Sequence, residues 1–272
     1  MEKLLDELSS QTVPPDEILI VDSSSDDDTQ RLAERHTGVR VILIRWEDFD
    51  HGSTRNMAFH SCDTPFVVFM TQDALPTDSR CMENLLSLLS DERVAAVCAR
   101  QIARPEARAA EKAFREFRYP NKSVVWNKED VPKLGIRAYL LSDVCSAYRR
   151  TAFEAVGGFE CPIIADEDML IAADFLDAGY YLAYQADACV WHSHRYTFRQ
   201  EYQRNERIGQ FLARYGHRFE VAGVMGEGLR MGRFVTKRLL QQGKVLAIIP
   251  FWWNCAAKLL GSRAGKRKGK PD

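Results

Sequence analysis

Acidic residues at the ends of apolar runs are the positions in this chain best suited to do chemistry. Pro65-Phe66-Val67-Val68-Phe69-Met70 is wholly apolar and leads into Thr71-Gln72-Asp73, with Pro76 shortly after. Its length and its lack of alternation fit a central strand covered on both faces. Asp73 then stands at the strand's carboxyl end, outside which open α/β sheets bind ligands. The same aspartate could instead cap a helix starting near Pro76. Glu17-Ile18-Leu19-Ile20-Val21-Asp22 repeats the pattern, a buried-type strand ending in an aspartate. A third acidic point, Asp166-Glu167-Asp168, opens a helix that runs to Gly179. Carboxylates there are either partners of the helix dipole or reactive groups. His192 and His194 are two apart at the end of a strand, so on a continuing strand they face one side. Such a pair is either packed in the core or a metal site. Arg55, in the segment His51-Gly52-Ser53-Thr54-Arg55-Asn56, could fork onto phosphate oxygens or make a surface ion pair.

The elements that must position these residues alternate along the chain. Met1 to Thr12 reads as an amphipathic helix with Leu4, Leu5 and Leu8 on one side, stopped by Pro14-Pro15. After the Asp22 strand, Ser23-Ser24-Ser25-Asp26-Asp27-Asp28 is rich in N-cap residues and precedes a helix through Arg35. Val39 to Ile44 is a strand, and Phe49 to Asn56 a polar loop running into a short helix near Met57. A helix with Leu85, Leu86 and Leu89 and a strand from Val94 to Ala99 follow the Pro65 strand. This order predicts an α/β fold, a mostly parallel sheet with helices on both faces. Pro105 to Arg118 reads as an exposed helix, and Tyr119 to Arg137 as a long mixed loop containing Trp126. Loops of that length usually bind something. Leu140 to Arg150 is strand-like, Gly157-Gly158 stops a short helix, and Tyr180 to Ala183 and Ala188 to His192 read as two last strands.

A chain of 272 residues that is 46% hydrophobic can bury a sizeable core. A net charge of −1 gives no basis for a nucleic-acid partner. The seven cysteines are scattered and odd in number, with no CxxC pair, which fits reduced thiols in a cytosol. No signal peptide is apparent. The apolar run Val245 to Trp253 reads as too short to span a bilayer and as interrupted by Pro250. With its tryptophans, nearby lysines and the basic tail Arg263, Lys266, Arg267, Lys268 and Lys270, it suits either an interfacial segment on an anionic leaflet or a helix packed on the domain.

Taken in order, strand-Asp22, the His51 to Asn56 segment, Thr71-Gln72-Asp73, Gly157-Gly158-Phe159, Glu167-Asp168 and His192 resemble a family 2 glycosyltransferase with the GT-A fold. The segments Phe49 to Asn56 and Thr71 to Pro76 most resemble the bacterial rhamnosyltransferase branch. The resemblance covers roughly residues 1–215, a glycosyltransferase domain; residues 216–272 fall outside it as a helical, basic extension. It implies an inverting transfer from a nucleotide sugar. Asp168 would be the general base with Glu167 supporting it. Asp22 would contact the nucleobase or ribose, and Arg55 the diphosphate. His51, Asn56 and Trp126 would complete the substrate-binding set. Asp73 would bind a divalent cation, magnesium or manganese, with His192 and His194 as co-ligand candidates.

Two departures from the family pattern stand out. Thr71 replaces the first carboxylate of the DxD motif, and the chain begins at a helix where the family begins with a strand. The sheet is therefore expected to lack an inner strand, leaving neighbouring backbone groups without partners. The expected activity is transfer of L-rhamnose from dTDP-L-rhamnose to a lipid-linked glycan or polysaccharide at the cytoplasmic face of a bacterial membrane. Use of another UDP- or GDP-sugar, or a non-catalytic nucleotide-sugar-binding remnant, is the alternative.

Overall fold

The computed structural model describes residues 1–25, 29–33, 35–219 and 224–269. Asp26, Asp27 and Asp28 of the serine-rich loop and Lys270 of the tail lie outside the described residues. Strands β1 (Ile18–Asp22) and β2 (Val39–Leu43) form a parallel pair. The second sheet holds β3 (Phe66–Met70), β4 (Leu75–Pro76), β5 (Val94–Ile102), β6 (Val124–Trp126), β7 (Cys145–Arg149) and β8 (Tyr181–Trp191). Its order is β3-β7-β5-β8-β4, with β6 also on β8. Helices α1 (Glu2–Ser9), α2 (Thr29–Ala33), α3 (His51–His60), α4 (Cys81–Ser87), α5 (Ala109–Arg118), α6 (Val131–Leu134), α7 (Arg150–Ala155), α8 (Glu167–Asp177) and α9 (Phe198–Tyr215) punctuate the strands. Helices α10 (Val224–Gln241) and α11 (Ile248–Lys268) follow.

The α/β architecture matches the expectation, but the strand directions differ from a mostly parallel sheet. β5 and β8 are parallel, whereas β7 runs antiparallel to both β3 and β5, and β4 and β6 run antiparallel to β8. Met70 pairs with Cys145, so the chain enters β7 at the end where β3 leaves it. The segment from β5 to β7 therefore starts and finishes at the Asp73 end, without the crossover helix that parallel neighbours require. The two last strands expected from sequence are a single strand, β8. Its register against β5 jumps from Ala99↔Gln185 to Arg100↔Cys189, and the extra residues 186–188 looked like a turn in the sequence.

The core occupies both faces of the second sheet. On β5, Ala96 and Cys98 join a cluster with Phe59, Tyr148, Phe153 and Phe175, while Val97 and Ala99 join Leu4, Leu85 and Val190. That is the two-residue period of a strand buried on both sides. β1 and β3 were expected to be equally buried, and they are not: every residue of β3 is half-buried, and Asp22 alone is fully buried in β1. Among the described residues β1 pairs only with β2, and β3 only with β7, so each keeps one edge bare of a strand partner.

The C-terminal helices pack onto the rest through small residues. A Cβ on Gly265 would stand 1.9 Å from Glu206 O, one on Gly261 2.2 Å from Tyr202 O, and one on Gly209 2.3 Å from Ser262 O. α9 and α11 thus touch backbone to backbone. Val235, Leu239 and Phe251 bury against Ala113 of α5. The expectation that Pro250 interrupts this region is corrected. Pro250 lies in the first turn of α11, where its missing N–H would have had no intrahelical partner. Residues Val245–Lys268 consequently form one helical stretch of 24 residues, long and apolar enough by length and composition to cross a membrane. Its outer end is exposed, including Ile249 and Trp253, while Ala257 and Gly261 are buried.

Candidate active site

Asp73 does not cap a helix. Leu75–Pro76 pairs with β8 as β4, and α4 begins only at Cys81. The carboxylate instead faces two imidazoles: Asp73 Oδ2 lies 3.4 Å from His192 Nε2 and 3.5 Å from His194 Nε2. One ligand atom from each residue falls within 4.8 Å of the others. The histidines face one side because strand pairing continues past β8, with His192 N donating to Ile102 O at 2.9 Å. Arg104 fixes both segments, donating to the Asp73 carbonyl from its guanidinium and to Ser193 Oγ from its backbone, each at 2.9 Å.

Gln101 and Arg115 both meet His192 at Nδ1. Gln101 Oε1, which also accepts from Arg115, lies 2.8 Å from it, and Arg115 Nη2 lies 3.2 Å from it. Nε2 is the ring nitrogen that faces Asp73. Asp73 is held well below the usual carboxylate range, chiefly by its contact with His192, and His194 is pushed down by burial and by its neighbour His192. The nearby Thr71 hydroxyl is buried and helps hold Asp73 low, but has no well-directed hydrogen bond. One carboxylate oxygen and two imidazole nitrogens fit a divalent transition metal better than magnesium, which prefers oxygen alone.

A second cluster lies around Arg55, and the whole His51 to His60 segment is the helix α3, not a loop leading into one. Asp50 caps it by accepting from Ser53 N, and its other oxygen accepts from Ile163 N, which ties α3 to the segment ahead of α8. Gly52 allows this approach, since a Cβ there would sit 2.0 Å from Glu160 O. Arg55 reaches Glu167 at 2.8 Å and Asp143 at 3.2 Å. Its guanidinium is therefore committed to carboxylates inside the protein. Asp143 in turn accepts from Tyr148 Oη at 2.6 Å.

One guanidinium cannot keep this many neighbouring carboxyls ionised. Asp168 is pushed well above the ordinary carboxylate range by burial first, then by Glu167, Asp143 and Asp166, with Arg55 opposing. Asp166 is raised to about 6, by burial and then Glu167. Asp166 has a left-handed backbone (φ 57°) and a buried Oδ2 without a hydrogen-bond partner. A non-glycine residue in that conformation marks strain that local packing must hold in place.

Asp166 and Asp168 line one cavity of about 300 Å³ together with His192, His194, Gln101, Arg115 and Trp126. The candidate base and two of the three candidate metal ligands, His192 and His194, thus share a single space. Trp126 contributes an edge of it while staying in the core, its indole N–H donating to Ala138 O at 2.9 Å. Other expected residues have different employment. Asn56 donates to Phe159 O at 2.8 Å and accepts from Phe159 N at 2.9 Å, so it clamps the Gly157-Gly158-Phe159 turn instead of facing the cavity. Glu167 is buried against Arg55, a support for the cluster and not a free group. His51, with Nδ1 3.2 Å from Arg55 and 3.9 Å from Glu167, stands at the outer rim of that cluster. Asp22 is buried at the end of β1 and accepts from Ser25 N and Oγ. Sequence reasoning missed Asp143, Gln101 and Arg115 as site residues.

Comparison with known proteins gives concordant results. The model of the family described as glycosyl transferase family 2 matches residues 1–157. The O-antigen chain rhamnosyltransferase WbaN of Salmonella anatum is 41% identical over 263 residues, 94% of this chain and 81% of that protein. The O-antigen chain rhamnosyltransferase RfbN of Salmonella typhimurium is 39% identical over 270 residues, 97% of this chain and 84% of that protein. Among solved structures, the mannosyltransferase PcManGT of Pyrobaculum calidifontis, in complex with GDP-Man and Mn2+, superposes with a TM-score of 0.66 at 20% identity. That match covers 99% of this chain and 84% of the other. S. aureus TarS 1-349 in complex with UDP-GlcNAc superposes with a TM-score of 0.58 at 12% identity, covering 98% and 87%. At such identities the superpositions establish the fold alone.

Proposed function

Because the chain belongs to glycosyl transferase family 2 and has the GT-A fold, we propose that its cavity carries out an inverting transfer of L-rhamnose from dTDP-L-rhamnose to a lipid-linked glycan. The observation that carries this reading is the shared cavity: Asp168 on one wall, and on another His192 and His194, the two histidines clustered with Asp73. In an inverting displacement, one carboxylate takes the acceptor hydroxyl proton as the oxygen attacks the anomeric carbon, opposite the departing nucleoside diphosphate. Asp168 is the proposed base. Its raised proton affinity suits it to hold that proton, and Glu167 and Arg55 fix the start of α8 that carries it. A divalent cation at Asp73, His192 and His194 would offset the charge of the diphosphate. Arg104 holds the Asp73 backbone, Gln101 the His192 ring, and Glu111 the His194 backbone. No covalent sugar–enzyme intermediate is required, so no side-chain nucleophile is invoked.

Rhamnose as the sugar is supported by the two Salmonella relatives, whose names state rhamnosyltransferase activity. The exposed apolar end of α11 and the following basic residues support peripheral contact with an anionic membrane, on the cytoplasmic side where nucleotide sugars are made. The test is a transfer assay with the full chain, manganese and lipid-linked acceptor, offering dTDP-L-rhamnose beside UDP- and GDP-sugars. A product of inverted anomeric configuration from the rhamnose donor is the expected result. Binding of dTDP without transfer or hydrolysis would identify a nucleotide-binding remnant, and preference for another donor would displace rhamnose.

A further inference from the structure

A second cavity, of about 620 Å³, adjoins the first one. Phe114, Arg115, His194 and Arg204 line both, so the two spaces meet along these side chains beside the reaction centre. From there the groove runs between α5 and the start of α11. Its apolar wall includes Ala109, Phe114, Val245, Ala247 and Phe251. Its charged lining is strongly one-sided: six Lys and Arg residues against Glu111 and Glu201. Glu111 is occupied, accepting from His194 N at 3.1 Å, and Glu201 lies 3.7 Å from Lys258. Arg108, Arg195, Arg204 and Lys244 have no carboxylate within ion-pair distance among the described residues. At its outer end the groove reaches Pro250, which also belongs to a patch formed with Ile248, Ile249, Trp252 and Trp253. Leu246 and Ile249 there are 87% and 74% exposed.

A groove with an apolar wall and four exposed cations, reaching from beside the reaction centre to an exposed apolar patch, fits one kind of occupant. A sugar or nucleotide would leave the apolar wall uncovered, and a plain hydrocarbon would make no use of the positive charge. We propose that this groove holds the acceptor's anchor, a long apolar chain ending in a phosphate or diphosphate. The anion lies among Arg108, Arg195, Arg204 and Lys244, and the chain leaves across Ile249 and Trp253 toward the bilayer. The glycan attached to the phosphate then points along the shared wall to Asp168. This inference rests on the acceptor class proposed above and assigns the part of the chain that recognises it.

The same chemistry could come from the headgroups of anionic phospholipids, so the test separates the sources. Binding to the full chain is measured by calorimetry with farnesyl diphosphate, farnesol and pyrophosphate, alongside sedimentation with phosphatidylglycerol vesicles. Farnesyl diphosphate should bind at least tenfold more tightly than farnesol or pyrophosphate alone. The double variant Arg108→Ala, Lys244→Ala should weaken it by roughly tenfold or more, as expected for lost hydrogen bonds to a charged group. Ala247→Trp, which fills the groove, should abolish it, and dTDP binding retained in both variants certifies their folding. Pyrophosphate binding as tightly as farnesyl diphosphate would overturn the proposal. So would variants that lose vesicle binding while wild type shows no preference for the farnesyl ester, which would make the groove a headgroup contact. If farnesyl diphosphate binds as predicted but no rhamnose is transferred, the donor assignment fails and the groove stands.

Discussion

Asp168 and Asp166 stand two residues apart on the wall of one cavity, and both hold their protons more tightly than an ordinary carboxyl. The consequences for Asp168 can be signed. Its folded-state pKa lies above the unfolded one, so its ionisation costs folding stability as pH rises through the folded value. Asp168→Asn should therefore melt no lower than wild type at neutral pH, keep nucleotide binding, and lose about two to four orders of magnitude in transfer rate. Asp166→Asn, compared in the same assay, should lose much less; the reverse ranking would move the base to Asp166. In wild type the rate should fall as pH drops through the raised pKa, an acid limb above the usual carboxylate range, read from a pH–rate profile with saturating donor. Gln101 gives a second prediction at this scale. Gln101→Leu removes the amide partner of His192 Nδ1 and should weaken manganese binding about 10–100-fold, the usual effect of losing a partner behind a ligand, measured by electron paramagnetic resonance. Unchanged affinity would remove Gln101 from the site. Asp73 and the histidine pair were legible in the sequence because strand ends and a two-residue spacing are local patterns. Asp143, Gln101 and Arg115 were not, since each acts through a partner 14 to 91 residues distant and lies in no local motif.

Elements were legible where one chain segment meets its environment alone, and illegible where another segment changes it. The period of α1 and the apolar runs of β1, β3 and β5 gave the right element types. The Gly52 segment looked like a loop because its glycine and serine disfavour helix. The glycine is required there by the backbone of Glu160, and Asp50 supplies the cap. α11 was misjudged for the complementary reason, since a proline in the first turn does not stop a helix. Its packing gives a prediction. Gly265 lies against the Glu206 carbonyl with no room for a side chain. Gly265→Val should part α9 from α11 and destabilise the protein by about 1–3 kcal/mol, the usual cost of overpacking. Thermal melting checks this, with Gly228→Ala, where nothing lies within 4 Å of an added Cβ, as the control. Equal losses for the two would mean that the seam carries no stability.

At the scale of the whole molecule, the class of fold was readable from strand–helix order, and the direction of β7 was not, because it depends on where a long connection ends. The two-sheet division separates regions of unequal stability. β5 and β8 lie inside a sheet with both faces covered, whereas β1 and β2 form a two-stranded ribbon beside a bare edge. Two-stranded ribbons are marginal on their own. Hydrogen exchange followed by mass spectrometry should find the amides of residues 18–22 and 39–43 exchanging orders of magnitude faster than those of 94–99 and 181–185, since exchange reports local opening. Uniform protection would show that the ribbon is braced by contacts other than its ladder. The bare edges of β1 and β3 also change how the molecule meets its own copies. A row of free N–H and C=O groups accepts any extended backbone, whatever its side chains. Protein concentration thus becomes a variable in its own right: light scattering should rise with concentration faster than for a sheet with closed edges. Where scattering rises in that way, rates and affinities measured on dilute and concentrated samples describe different mixtures of single and paired chains.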